Sequence, residues 1–456
     1  MQNAITEGVI WKQLLFFFFP IVLGTFFQQL YNTADAIIVG KFVGKEALAA
    51  VGGTTGTLIN LLVGFFVGLS SGASVIISQF YGAQRSEDVS RAVHTTMALA
   101  LASGAALTVL GICLSKNVLI MMGTPADVLD YAVTYINIYF LGMIPSLIYN
   151  IGSGILRAVG DSRRPLFFLV SATMTNIVLD VVLVIGLNLG VAGAAAATVL
   201  SQVVSAVLVM MTLCRTSQVY RLQLKKIRFY GDMLVRIVRI GLPAGLQSVM
   251  YSLSNIIIQA SMNVFGTDVL AAWTAYGKLS DLYWMIISAF GIAITTFTGQ
   301  NFGAGKYDRI RQGTYACLLL GIIYCAIYIV IARFGTQYLV LLFMNADEAQ
   351  SVLDYTQRIS YAYAYGTPLL LGVNVFRLSI QGMGYSRLSL ISGLLEMIAR
   401  TAVGIWGVPQ FGFAAACLAS PLAWALADCF LIPAYYGCLN ARRRLAARVR
   451  KELPTE

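Results

Sequence analysis

The stretch Asn176–Thr198 reads NIVLDVVLVIGLNLGVAGAAAAT, which sets an amide, a carboxylate and a hydroxyl inside sequence otherwise suited to lipid. Asn176 and Asp180 are four residues apart, so on a helix they share one face, about a turn apart. Gly186–Gly190 reads as a tight connection between two helices. Asp180 and Thr198 flank that turn, and at ~1.5 Å rise per residue both fall roughly 9–12 Å below the same membrane edge. An intramembrane carboxylate with a polar partner at its own depth points to function. The plainer alternative is an interhelical hydrogen bond that only fixes packing.

The remainder of the chain supports a membrane reading. Of 456 residues 58% are hydrophobic and 11% charged, against about 25% charged in a soluble domain. Long apolar runs recur throughout, so the expected fold class is an all-α polytopic membrane protein. The net charge of +11 does not require nucleic acid, because basic residues also collect in cytoplasmic loops. The seven cysteines form no CxxC pair and their number is odd, so neither a disulfide framework nor a zinc site is expected. The first apolar stretch lacks a small-residue cleavage site and is read as a retained helix.

Twelve spans are predicted, near 12–39, 48–80, 90–114, 127–157, 164–186, 190–214, 236–264, 270–301, 310–333, 348–381, 387–408 and 412–439. With that layout, 23 of the 31 Lys and Arg residues fall on one face, four on the other and four inside helices. By the positive-inside rule both termini are expected to be cytoplasmic, and the Asp180–Thr198 hairpin opens outward.

The basic segment 215–235 separates two halves that resemble each other: an N-lobe over 1–214 and a C-lobe over 236–456 with a basic tail. KEALAAVG (45–52) answers TDVLAAWT (267–274), QFYGA (79–83) answers QNFGA (300–304), and LRAVGDSR (156–163) answers IQGMGYSR (380–387). The offset drifts only between about 221 and 224 residues. Such duplication marks transporters, whose sites lie at the interface of repeats or lobes. Six helices per half imply a pseudo-two-fold axis along the membrane normal.

These features resemble the multidrug and toxic compound extrusion (MATE) family over nearly the whole chain. The markers are the six-plus-six plan, the duplicated Q-x-x-G-A, DAIIVGKFVG at Asp35–Gly44, and N-x-x-x-D followed by G-A-A-x-A-T. The last grouping is similar to the DinF-like branch. That resemblance implies an N-lobe cation or proton site at Asp35, Asn176, Asp180 and Thr198. Depth agrees, because Asp35 lies five residues before Gly40, roughly 8 Å below the outer edge. An all-oxygen set of two carboxylates, an amide carbonyl and a hydroxyl suits a hard cation such as Na⁺. Equally, two carboxylates in one apolar pocket cannot both ionise easily, which would make the pair a proton carrier. The residues leave both ions open.

A NorM-like acidic residue in the seventh span is missing from QSVMYSLSNIIIQ (247–259), whose polar candidates are Asn255 and Gln259. Gln28, Tyr31 and Asn32 on the first span, with Asp281 and Tyr283 on the eighth, are further candidate cavity groups, as are Glu396 and Arg400. The last two are spaced for an internal ion pair. Asp281 and Lys278 are possible neighbours, and Asp428 has no sequence-local partner. YAYAY (361–365) with Tyr283 and Trp284 is a candidate aromatic wall. His94, the only histidine, reads as interfacial. Ser70 and Ser71 read as small-residue packing. No Walker A motif occurs, which argues against ATP-driven pumping by this chain.

The expected function is therefore antiport, in which H⁺ or Na⁺ enters and a small organic, cationic or amphipathic compound leaves as two lobes rock. No cofactor beyond that ion is expected, and no enzyme activity. The partners are the substrate and membrane lipid, the chain acts as a monomer, and the location is the bacterial inner membrane. The rivals are a flippase for lipid-linked precursors of the same superfold, and an ion channel or membrane-embedded enzyme.

Overall fold

The computed structural model describes residues 4–343 and 346–452, and nearly all of them are helical. The first half holds α1 (Ile10–Phe42), α2 (Lys45–Gly52), α3 (Thr54–Gly82), α4 (Ser86–Met121), α5 (Ala126–Leu141), α6 (Met143–Ala158), α7 (Arg163–Asp180) and α8 (Gly190–Arg215). The second holds α9 (Gly231–Asn263), α10 (Thr267–Gly303), α11 (Tyr307–Phe343), α12 (Ala346–Gly382), α13 (Ser386–Ala402), α14 (Val408–Phe411) and α15 (Phe413–Glu452). Residue contacts group the chain into two compact units, one over Phe19–Gly245 and the other taking residues up to Phe18 and from Leu246 on. Both α1 and α9 therefore begin in one unit and end in the other.

Among the described residues ten helices are long and apolar enough to cross a membrane, and α5 with α6 makes an eleventh span bent by 53°. The bend has a local cause. Pro145 sits in the first turn of α6 and has no N–H to return to the Leu141 carbonyl, so the ladder breaks at Gly142. Gly142 also lets α8 approach: a Cβ there would stand 2.8 Å from Val199 Cγ2. α12 also has the length of a span, but it carries Asp354, Arg358 and Arg377 and falls outside those eleven. Pro20 in α1 and Pro243 in α9 fall inside continuous helices at matching points of the two halves.

Small residues let α3 and α9 approach closely. Gly68 and Gly72 of α3 face Gly245 and Gly241 of α9, and a Cβ on Gly68 would meet the Gly245 Cα at 2.7 Å. Two glycines four apart on each helix allow this backbone contact. Between them the Ser70 and Ser71 hydroxyls donate back to the Val67 and Gly68 carbonyls at 3.0 and 2.6 Å. Packing is the part they play.

The basic segment after α8 is not a loose tether. Tyr220 and Leu222 are buried in the core of the first unit, and the Leu222 N–H returns to the Leu213 carbonyl at 2.8 Å. His94, expected at the interface, is instead 1% exposed. Its Nδ1 lies 2.6 Å from the Ser90 carbonyl, and its Nε2 accepts from the Gln223 N–H at 3.0 Å. The returning segment covers the imidazole, a fold-back that reading α4 alone does not reveal.

Candidate functional site

In α7 one helical face carries Thr173, Asn176 and Asp180, all buried, while Phe167, Met174 and Val178 on the other side are exposed. The Thr173 hydroxyl donates to the Phe27 carbonyl at 3.4 Å, which ties this face to α1. On α1 the same logic buries Asp35 and Val39 and leaves Ile37 outside. Asp180 ends the regular helix, and Val181–Gly186 follows as a π turn whose Leu187 N–H reaches back to Val182 at 2.9 Å. Such turns often mark functional sites. Asn188 and Gly190, at φ 51° and 57°, reverse the chain into α8. Gly193 then packs on the π turn, where a Cβ would stand 3.1 Å from the Leu183 carbonyl. That contact fixes the height of Thr198.

The four residues singled out from the sequence converge here. Asp35, Asn176, Asp180 and Thr198 are 6%, 0%, 0% and 1% exposed. Six of their polar side-chain atoms are buried without a hydrogen-bond partner: Asp35 Oδ1, both Asn176 atoms, both Asp180 oxygens and Thr198 Oγ1. Native interiors pair nearly all such groups, so six together in one place stand out. The two carboxylates lie within electrostatic reach of each other. The Tyr31 and Tyr135 hydroxyls stand beside Thr198, and Tyr139 stands beside Gln202.

Tyr135, Tyr139 and Gln202 were not picked out from the sequence. A signal was present, because Gln202 follows Thr198 by one turn and Tyr139 follows Tyr135 by one turn. Gln28 and Asn32 are exposed and stand apart from the cluster, while Tyr31 joins it.

The second unit treats the matching place differently. The position answering Asp35 is Ile258, buried with Met262, Val269 and Ala416 in an apolar cluster. The π turn recurs as Val403–Gly407, and the left-handed glycine recurs as Gly412 at φ 62°. The expected pairing of Glu396 with Arg400 is present at 3.8 Å, but the closer partner of Glu396 is Arg377 of α12. Arg377 also donates to Ser392 Oγ at 3.0 Å and, with the Gln247 amide oxygen turned toward it, to Gln247 at 3.0 Å. Gln247, Tyr251 and Ser254 complete this group. Their i, i+4, i+7 spacing on α9 was legible but passed over for Asn255 and Gln259. Asn255 is exposed, and Gln259 bonds to Asn263 on its own helix at 2.9 Å.

Asp281 is exposed on α10, and the Lys278 side chain lies outside the described ones. Tyr283 is 2% exposed, donates to the Thr367 carbonyl at 3.2 Å and packs on Tyr324 and Tyr328, which places it in the core. YAYAY divides in the same way. Tyr363 is buried with its hydroxyl on Ser420, Tyr361 meets Arg333, and Tyr365 is exposed.

Two matching halves of membrane-length helices, one of them holding a buried cluster of oxygen donors, give this chain the layout of a membrane transporter. The MatE family signature matches twice, over residues 20–182 and 243–406. The chain belongs to the MatE family. It is 29% identical over 347 residues to the probable multidrug resistance protein YoeA of Bacillus subtilis (strain 168), covering 74% of each chain. It is 22% identical over 392 residues to the multidrug export protein MepA of Staphylococcus aureus (strain N315), covering 86% of this chain and 85% of that one. Its fold matches a multidrug resistance MATE family transporter in an outward-facing conformation at TM-score 0.90, with 23% identity over 97% of this chain and 99% of that one. A MOP superfamily transporter from Pyrococcus furiosus Vc1 (DSM3638) matches equally well, at TM-score 0.90 and 22% identity, over 97% of this chain and 99% of that one.

Proposed function

We propose that the chain is an antiporter that exports small organic, amphipathic compounds in exchange for H⁺ or Na⁺ bound at Asp35, Asn176, Asp180 and Thr198. The observation that carries this reading is the set of six unpaired buried polar atoms in the first unit. Two carboxylates that repel each other in a dry site favour whatever removes their charge, either a proton or a hard cation. Asn176 and Thr198 supply neutral oxygens to that ion. Its binding shifts the transport cycle only through a difference in affinity between the two access states. The site belongs to the DinF-like pattern, both termini face the cytoplasm, and a single chain in the inner membrane is the working unit. The names of YoeA and MepA agree with multidrug export.

The test is efflux of ethidium from proteoliposomes with proton and Na⁺ gradients imposed separately. Flux driven by one gradient, and lost in both Asp35→Asn and Asp180→Asn, is the expected result. Unimpaired flux in both folded variants would assign the cluster to structure alone.

A further inference from the structure

The two halves place different buried groups at comparable points of the chain, and only the second includes a cation. Just ahead of the π turn in the first half, the buried i, i+4 pair is Asn176 and Asp180; ahead of its counterpart it is Glu396 and Arg400. Around the second pair the chain folds a small, open recess, with room for a group the size of a carboxylate, whose lining includes Gln247, Tyr251, Ser254, Arg377, Glu396 and Arg400. Two guanidinium groups share one carboxylate in that lining. Glu396 is engaged by Arg377, and Arg400 Nη2 stays 3.8 Å from Glu396 Oε2, beyond hydrogen-bonding distance. Arg400 Nη1 donates to Ser254 Oγ at 3.1 Å, yet Arg400 Nε has no acceptor although the residue is 2% exposed. Asp428 acts on Arg377 from α15 but stands against Gly372 and does not line the recess. The Tyr251 ring lies 5.8 Å from the Arg400 guanidinium, and Trp284 packs edge-on against Tyr251 at 5.4 Å. A buried guanidinium with a spare N–H beside an aromatic wall matches an oxyanion attached to an apolar body.

We propose that this recess binds the carboxylate of an amphiphilic organic substrate, its oxygens accepting from Arg400 and its apolar part lying on Tyr251. The substrates then include carboxylate-bearing amphiphiles, anions or zwitterions, beside the amphipathic cations that the proposed export covers. The inference rests on the reading of the chain as an exporter, but it uses residues separate from the coupling cluster.

The test uses a fluorescent rhodamine with a free carboxylate and the same dye as its methyl ester. Binding to the purified full chain in phosphatidylcholine nanodiscs is followed by anisotropy, without any ion gradient. A charge-assisted hydrogen bond predicts that wild type binds the acid roughly tenfold or more tighter than the ester. Arg400→Gln is expected to erase that preference with ester affinity changed less than about twofold, and Arg400→Lys to keep only part of it. Equal affinity for acid and ester in wild type, no binding of the acid, or a preference that survives in monodisperse Arg400→Gln or intact in Arg400→Lys would overturn the proposal. A lipid headgroup is the other source of an oxyanion. Displacement of the dye when phosphatidylglycerol is added to the nanodiscs would give the recess to lipid and also overturn it. Because binding is read at equilibrium, loss of gradient-driven flux in Asp35→Asn bears on coupling alone, and loss of acid preference in Arg400→Gln bears on the recess alone.

Discussion

Thr198 and Ser420 occupy matching positions about 222 residues apart, and only one of them is satisfied. The Tyr363 hydroxyl donates to Ser420 Oγ at 2.9 Å, whereas Thr198 Oγ1 is buried with no partner. The same fold thus bonds one hydroxyl to a tyrosine, whereas its counterpart has the Tyr31 and Tyr135 hydroxyls beside it without a formed hydrogen bond. Thr198→Val keeps the shape and removes the oxygen, so it should weaken ion binding by about tenfold with little change in stability. The readout is the H⁺ or Na⁺ concentration that gives half-maximal flux. Ser420→Ala should do the reverse. It leaves a buried Tyr363 hydroxyl unpaired, lowers stability by roughly 1–3 kcal/mol and leaves the ion dependence alone.

Asp180 is fully buried, and neither of its oxygens is hydrogen-bonded. A charged group in that position costs stability, and an amide of the same shape costs less. Asp180→Asn should therefore raise the melting temperature of the purified protein, by a gain on the order of 1 kcal/mol. Thermal unfolding in detergent checks it. A clear drop would mean that the carboxylate holds the fold together.

The glycine seam makes a separate claim about packing. A Cβ on Gly72 would stand 2.5 Å from the Ile237 carbonyl oxygen, a contact that backbone cannot relieve by rotating a side chain. Gly72→Val should destabilise by about 1–3 kcal/mol or block folding. Gly437 in α15 has nothing within 4 Å of such a Cβ, so Gly437→Ala should be neutral or stabilise by up to about 1 kcal/mol. Parallel melting curves of the two variants decide it.

Much of this was legible in the sequence, for reasons visible residue by residue. Helical spacing put Asn176 and Asp180 on one face, and the glycines at 186 and 190 placed Thr198 across the turn. Asp35 joined them through depth and family resemblance. The π turns were not legible, because nothing in VVLVIG separates a π from an α hydrogen-bond pattern. Arg377 is one of the four basic residues that the sequence places inside helices, but nothing there pairs it with Glu396. The i, i+4 rule sees only one helix, and Arg377 comes from another. Tyr283 was a cavity candidate because tyrosine suits cavity, interface and core alike, and it is its packing on Tyr324 and Tyr328 that places it in the core.

His94 offers a test of the folded-back basic segment. Its Nε2 accepts from the Gln223 N–H, while Tyr230 N–H reaches the neighbouring Thr95 hydroxyl at 3.3 Å. His94→Ala removes the first of these and leaves a part-buried N–H without an acceptor, a loss of about 1–3 kcal/mol. The segment should then open locally before the helices do. Limited trypsin digestion should cut faster at Arg221, Lys225 and Lys226 than in wild type. An unchanged rate would show that Tyr220 and Leu222 hold the segment by burial alone.

Glu396 is the only carboxylate shared by Arg377 and Arg400 in the recess lining, and its side chain is 7% exposed. Removing one partner of a buried pair strands the other charge, at a cost of about 3–5 kcal/mol. Glu396→Gln should therefore lower stability more than any other single substitution considered above, apart from the glycine seam. Arg377→Gln should be nearly as harmful, because it leaves Glu396 to an arginine 3.8 Å away. The double variant Arg377→Gln with Glu396→Gln removes both charges together and keeps side chains that hydrogen-bond to each other, to Ser392 and to Gln247. It should recover a large part of the loss, with a coupling energy of roughly 1–3 kcal/mol in a double-mutant cycle. Unfolding followed by tryptophan fluorescence in detergent gives the four stabilities. Strict additivity would mean that the two residues do not act as a pair, and that Ser392 and Gln247 position Arg377 without Glu396.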